Sequence, residues 1–154
     1  MGLALFEKGE YGKAEPLLRQ ALTVRQRPLA EAYPDVATSL NNLAHLHQLQ
    51  GCYCEAEPLY LEALGLKKAL LGEAYPDVAV SLNNLAELYR SQGRYGKAEP
   101  LYVEALPILV KWLGEGHPDT QMVSGNFAGC VQAALAAGQA GTLSEHPTTQ
   151  TRLA

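Results

Sequence analysis

The feature that most constrains the fold of this 154-residue chain is an internal repeat. The segment AYPDVATSLNNLA begins at Ala32, AYPDVAVSLNNLA begins at Ala74, and a more divergent copy, GHPDTQMVSGNFA, begins at Gly116. Each copy therefore starts 42 residues after the one before it. A fixed period of roughly 20–50 residues is typical of solenoids, in which each unit buries its apolar side against its neighbours.

Each repeat is expected to form two antiparallel helices, which we call helix A and helix B. Helix A should begin at a Pro-Asp pair, because proline suits the first helical turn and aspartate suits the positive end of the helix dipole. It should end at a glycine, the usual C-terminal stop, as at Gly51 and Gly93. Helix B should then start near Tyr53 or Tyr95. The register predicts seven helices, from a short A1 to A4, and no strand between residues 34 and 113.

This organisation divides the chain at defined residues. Residues 1–138 should form the repeat array, followed by a polar, flexible C-terminal tail at 139–154. The array comprises a truncated first repeat at 1–31, two full repeats at 32–73 and 74–115, and a partial repeat or capping helix at 116–138.

The residues of the third repeat carry a resemblance to a known family. Leu85, Ala86, Tyr89, Gly93, Ala98, Tyr102 and Ala105 form a pattern that resembles the tetratricopeptide repeat (TPR). The 42-residue period and the strings PDVAxSLNNLAxLY and QGxYxxAEPLY resemble the longer subclass typified by kinesin light chain. The resemblance implies an all-α fold, a right-handed α-solenoid of antiparallel helix pairs. It also implies a protein that binds a short peptide of a partner protein along its A helices, without enzymatic activity and without a cofactor.

The stretch SLNNLAELY at residues 81–89 shows which face of helix A should bind. Leu82, Leu85, Ala86 and Tyr89 follow the spacing of a buried stripe, so the asparagines between them lie on the opposite face. That face should form the concave wall. The predicted peptide-binding residues, in the helices A of the second to fourth repeats, are Thr38, Asn41, Asn42, His45, Gln48, Val80, Asn83, Asn84, Glu87, Arg90 and Asn126.

Two interpretations of the asparagines remain open at this stage. Asn42, Asn84 and Asn126 occupy equivalent positions in successive repeats and would form a ladder. A carboxamide both donates and accepts hydrogen bonds, so it could hold the main chain of an extended peptide. The same amides could instead only bridge neighbouring A helices.

Composition excludes several other functions. A net charge of −4 argues against a surface for nucleic acid or anionic membranes, and no apolar run is long enough to cross a bilayer. Three cysteines and the absence of a signal peptide suggest a cytoplasmic protein.

The cluster HLHQLQGCYC has zinc-type ligands, but His45 and His47 are two residues apart on a helix and cannot share a metal. We therefore expect neither a metal site nor catalysis.

Two classes of function fit these observations. The first is an adaptor that binds a protein or peptide partner in the groove. The second is a structural or self-associating scaffold segment of a longer TPR array. The truncated helix A1 favours the second, because it should leave apolar surface exposed and permit a homo-oligomer through the N-terminal end.

Overall fold

A computed structural model describes residues 15, 16, 18–20 and 33–154. Residues 15, 16 and 18–20 are helical. The α-helices that follow are α1 (Tyr33–Leu49), α2 (Tyr53–Leu71), α3 (Pro76–Ser91), α4 (Tyr95–Leu113), α5 (Pro118–Ala136) and α6 (Pro147–Leu153), with a short 3₁₀ helix at Ala140–Thr142. Two compact units divide the chain between Gly72 and Glu73.

The first unit contains the helix pair α1 and α2. Val36 and Leu40 of α1 pack with Ala63 of α2, and the partly buried Leu59 and Leu66 lie against them. These residues recur at helical spacing, so each helix buries one stripe against the other.

In the second unit, α4 packs against both α3 and α5, and α5 also contacts α3. Leu82 and Leu85 of α3 are almost completely buried, as are Tyr102 of α4 and Phe127 of α5. The rings of Tyr102 and Phe127 are stacked, with centroids 5.6 Å apart. Burying side chains of this size contributes about 1.5–3 kcal/mol each.

The turn between helix A and helix B has the same backbone hydrogen bonds wherever it is described. After α3, Gly93 has a φ of 70°, its N–H donates to the carbonyl of Arg90, and the N–H of Arg94 donates to the carbonyl of Tyr89. Gly51 and Gly138 end α1 and α5 with the same bonds. This is the Schellman motif, which needs a left-handed residue and so favours glycine.

The chain after α5 differs from the flexible tail expected at 139–154. Residues 140–142 form a 3₁₀ turn and Pro147–Leu153 form α6, which packs against α4 and α5. The buried Thr149 and the exposed Ser144 both donate hydroxyl hydrogen bonds to the carboxylate of Glu99, itself 1% exposed on α4. The polar side chains of this segment therefore donate hydrogen bonds to a buried carboxylate, and the segment is not a frayed end.

The all-α fold and the helix pairs predicted from the repeat are confirmed for α1 to α5. Residues 34–113 are described throughout and contain no strand. The predicted helix A1 lies outside the described residues, as does most of helix B1. No helix within the described ranges combines the length and apolarity needed to cross a bilayer.

Candidate functional site

In the first unit, the predicted binding residues lie along one side of α1. Thr38 and His45 are exposed, whereas Asn41, Asn42 and Gln48 are half-buried. The hydroxyl of Thr38 donates to the carbonyl of Pro34 at 3.0 Å. The Oε1 of Gln48 accepts a 2.9 Å hydrogen bond from the hydroxyl of Tyr60, which fixes the orientation of the Gln48 amide.

In the second unit, the structure separates the two adjacent asparagines of α3. Asn83 is 3% exposed, and its Oδ1 accepts a 3.0 Å hydrogen bond from Nδ2 of Asn126 on α5. Asn83 therefore joins two A helices and is not open to a ligand. Asn84 is half-buried on the same helix.

The surface beside Asn84 combines polar, charged and apolar groups. Val80 and Glu87 of α3 are half-buried, while Met122 and Gly125 of α5 are exposed. A Cβ at Gly125 would meet nothing within 4 Å, so this part of α5 borders open space. We call Val80, Asn84, Glu87, Met122 and Gly125 the α3–α5 face.

A hydrogen-bonded network defines one end of the α3–α5 face. The carboxylate of Glu87 accepts a hydrogen bond from the hydroxyl of Tyr102 and lies 3.3 Å from Nη2 of Arg90. Burial and the bond to Glu87 raise the pKa of Tyr102, so the phenol remains protonated and can donate. The Arg90 guanidinium rests against Gly129, where a Cβ would lie only 2.8 Å from Nη1.

The groups of the α3–α5 face differ in the contacts that they can make. The carboxamide of Asn84 can donate and accept, the Glu87–Arg90 pair offers both charges, and Met122 offers a flexible apolar contact. The face therefore presents hydrogen-bonding, charged and apolar groups together.

The comparison with protein families decides the classification. A tetratricopeptide repeat model matches residues 35–109 and again residues 79–137, and a second tetratricopeptide repeat model matches residues 1–27. Together these matches cover most of the chain. The chain belongs to the tetratricopeptide repeat family. No curated protein matches its sequence.

Solved structures with the same fold support this TPR assignment. BtubC (BKLC) from P. vanneervenii matches with a TM-score of 0.68 and 25% identity, over 99% of this chain and 67% of that protein. A Podosopora anserina kinesin light chain with nearly identical TPR-like repeats matches with a TM-score of 0.76 and 24% identity, over 98% of this chain and 78% of that protein. The chain thus has the fold of a TPR solenoid. TPR proteins of this kind are generally non-enzymatic scaffolds that bind protein partners.

Sequence reasoning missed one feature of this TPR protein that lies at the corner between α1 and α2. His45 is exposed and His47 is 3% exposed, so the two histidines do face different surroundings. However, His47 is close to Cys52 and Glu55, which the sequence places five and eight residues later. The spacing of helix A, a Schellman turn and helix B would have indicated this proximity.

Proposed function

We propose that this TPR protein binds a short, extended peptide of a partner protein on the exposed faces of its A helices. The observation that carries the proposal is the α3–α5 face, on which Met122 and Gly125 of α5 are exposed and Asn84 and Glu87 of α3 are half-buried. A Cβ added at Gly125 would meet nothing within 4 Å. On α1, the equivalent face with Thr38, Asn42 and His45 offers the same types of group.

The proposed contacts divide between main chain and side chains. The Asn84 carboxamide binds the peptide main chain, because it can satisfy both an N–H and a C=O whatever the peptide sequence. Glu87 and Arg90 select charged residues of the peptide, and Met122 covers an apolar one. A lost amide contact of this kind costs about 1–2 kcal/mol, which is roughly a five- to thirty-fold loss of affinity.

A matched pair of glycine substitutions tests where the peptide binds. Peptides are first selected from a displayed random library on the wild-type protein, and their affinities are measured by fluorescence anisotropy. Gly125→Arg places a long side chain on the α3–α5 face, and Gly65→Arg places the same side chain on α2. Both glycines are exposed helical residues with open space around the added Cβ, so both variants should fold.

The proposal expects Gly125→Arg to lower the affinity for the selected peptides at least ten-fold. Gly65→Arg should leave this affinity unchanged. Equal affinities in the two variants would show that peptides bind elsewhere. If no peptide is enriched and sedimentation shows association that rises with concentration, the scaffold alternative replaces this proposal.

A further inference from the structure

The corner between α1 and α2 brings together three side chains that are common metal ligands. One nitrogen of His47, Sγ of Cys52 and a carboxylate oxygen of Glu55 lie within 4.8 Å of one another. Nδ1 of His47 is the nitrogen that faces Glu55, at 3.4 Å from its Oε2. We infer that His47, Cys52 and Glu55 form a binding site for a divalent cation of the zinc type.

His47 supplies the second, independent observation for this site. Its side chain is only 4% exposed. Its Nδ1 is buried and forms no hydrogen bond with any residue that the structure describes. A buried polar atom without a hydrogen bond destabilises the fold, and coordination to a cation would remove that cost.

The backbone holds the three residues in place. His47 is in the last turn of α1, Cys52 precedes α2, and Glu55 is in the first turn of α2. The N–H of Cys52 donates to the carbonyl of His47 at 2.8 Å, and the N–H of Glu55 donates to the carbonyl of Cys52 at 3.2 Å. The ligands are therefore preorganised by the Schellman turn, and only side-chain rotations are needed to close the site.

The required rotations are small. Zinc bonds of about 2.0–2.3 Å place the ligands of a tetrahedral site roughly 3.5 Å apart. Nδ1 of His47 and Oε2 of Glu55 already have this separation, at 3.4 Å. Glu55 is 59% exposed and Cys52 is half-buried, so both side chains have room to turn towards Nδ1. Three protein ligands leave a fourth position for water or for a group of a bound partner.

Charged groups of both signs lie near the two nitrogens of the His47 imidazole. Nη2 of Arg19 lies 2.9 Å from Nε2 of His47, which places the imidazole proton on Nδ1. A metal on Nδ1 requires that proton to move to Nε2, so the Nη2 of Arg19, whose side chain is 53% exposed, must turn away from Nε2. The Glu15 carboxylate, 3.8 Å from Nε2, would then accept the hydrogen bond. Arg19 retains its 3.0 Å bond from Nε to Glu15.

The next repeat shows that this corner does not need metal ligands in order to fold. The equivalent positions, 42 residues later, are Tyr89, Arg94 and Lys97. The Arg94 guanidinium lies 4.6 Å from the centroid of the Tyr89 ring, and Nζ of Lys97 lies 5.6 Å from it. That corner uses cation–π contacts. The His47–Cys52–Glu55 set is therefore a chemical difference between two copies of the same turn.

Titration calorimetry of the untagged full chain with zinc chloride, in a buffer with a phosphine reductant, tests the site. The inference expects one zinc per chain at this corner. Cys52→Ser should weaken zinc binding at least ten-fold, whereas Cys54→Ser, which changes an exposed neighbouring thiol, should leave it unchanged. Cobalt(II) should give a sulfur-to-cobalt charge-transfer band that Cys52→Ser abolishes and Cys54→Ser retains.

A triple variant provides the folding control. His47→Tyr, Cys52→Arg and Glu55→Lys together transfer the corner of the next repeat, so this protein should retain its helical circular dichroism and lose the zinc site. The inference is overturned if the wild type binds no zinc. It is equally overturned if Cys52→Ser or the triple variant binds zinc as the wild type does.

Discussion

The amide of Asn126 on α5 donates a 3.0 Å hydrogen bond to Oδ1 of Asn83 on α3, which joins the A helices of two consecutive repeats. Asn83 is 3% exposed, so water cannot replace this bond. The next residue, Asn84, is half-buried on the same helix. One member of the pair therefore has a demonstrated role between helices, and the other remains on the surface that we propose for binding.

Removing the donor of this bond should destabilise the protein. Asn126→Ala leaves Oδ1 of the buried Asn83 unpaired, and we expect a loss of about 1–2 kcal/mol in the free energy of unfolding. Urea titration measures it, with Gln132→Ala at an exposed position of α5 as the control. A double-mutant cycle that combines Asn126→Ala with Asn83→Ala should give a coupling energy of at least about 0.5 kcal/mol, the lower end of the range for residues in contact. Additive effects would contradict the bridge.

Leu85 should contribute far more to stability than an exposed leucine. It is 2% exposed, and Leu85→Ala should cost about 2–5 kcal/mol because it removes buried methyl groups and leaves a cavity. Leu135→Ala, at a residue that is 45% exposed, should change stability by less than about 1 kcal/mol. Equal effects of the two substitutions on the urea midpoint would show that the α3 core is not as described.

The hydroxyl of Thr149 should hold α6 against α4. Thr149→Val removes one of the two hydroxyl donors to Glu99. A bond to such a carboxylate contributes about 1.5–3 kcal/mol, so α6 should detach more often. Trypsin cleavage after Arg152, followed by mass spectrometry, should become at least ten-fold faster. Thr151→Val, at an exposed position of α6, should leave the rate unchanged; an equal acceleration there would contradict this role.

Stability should fall at alkaline pH because of Cys130. Burial raises the pKa of its thiol from 9.0 to about 11. Between these values the unfolded chain has lost more protons than the native one, so the free energy of unfolding decreases as the pH rises. The expected decrease is about 1–3 kcal/mol. Urea titrations at about pH 8 and pH 10.5 should show a larger decrease in the wild type than in Cys130→Ala. Equal decreases would exclude Cys130 as the cause.

Much of the fold could be predicted because the repeat fixes it. Pro76 begins α3, Gly93 ends the turn after it, and Leu82 and Leu85 are buried, as the helical spacing indicated. These features depend on local backbone preferences and on periodicity, which the sequence contains directly.

The remaining features depend on contacts that periodicity does not describe. Asn83 and Asn84 lie on the same helix face by angle, but only the packing of α5 against α3 determines that Asn83 is buried. The segment around Thr149 is polar and irregular in sequence, yet it packs because Glu99 on α4 needs hydrogen-bond donors. The proximity of His47 and Cys52 arises from the turn and not from one helix, so the spacing of His45 and His47 did not reveal it.

The most direct test of peptide binding compares Asn84→Ala with Asn83→Ala in calorimetric titrations with one selected peptide, beside a thermal melt of each protein. We expect Asn84→Ala to raise the Kd for the peptide about five- to thirty-fold. Asn83→Ala should lower the melting temperature by several degrees, since it removes a buried bond, and should bind with nearly the wild-type Kd. An Asn84→Ala protein that melts much earlier yet binds the peptide normally would contradict the proposed site.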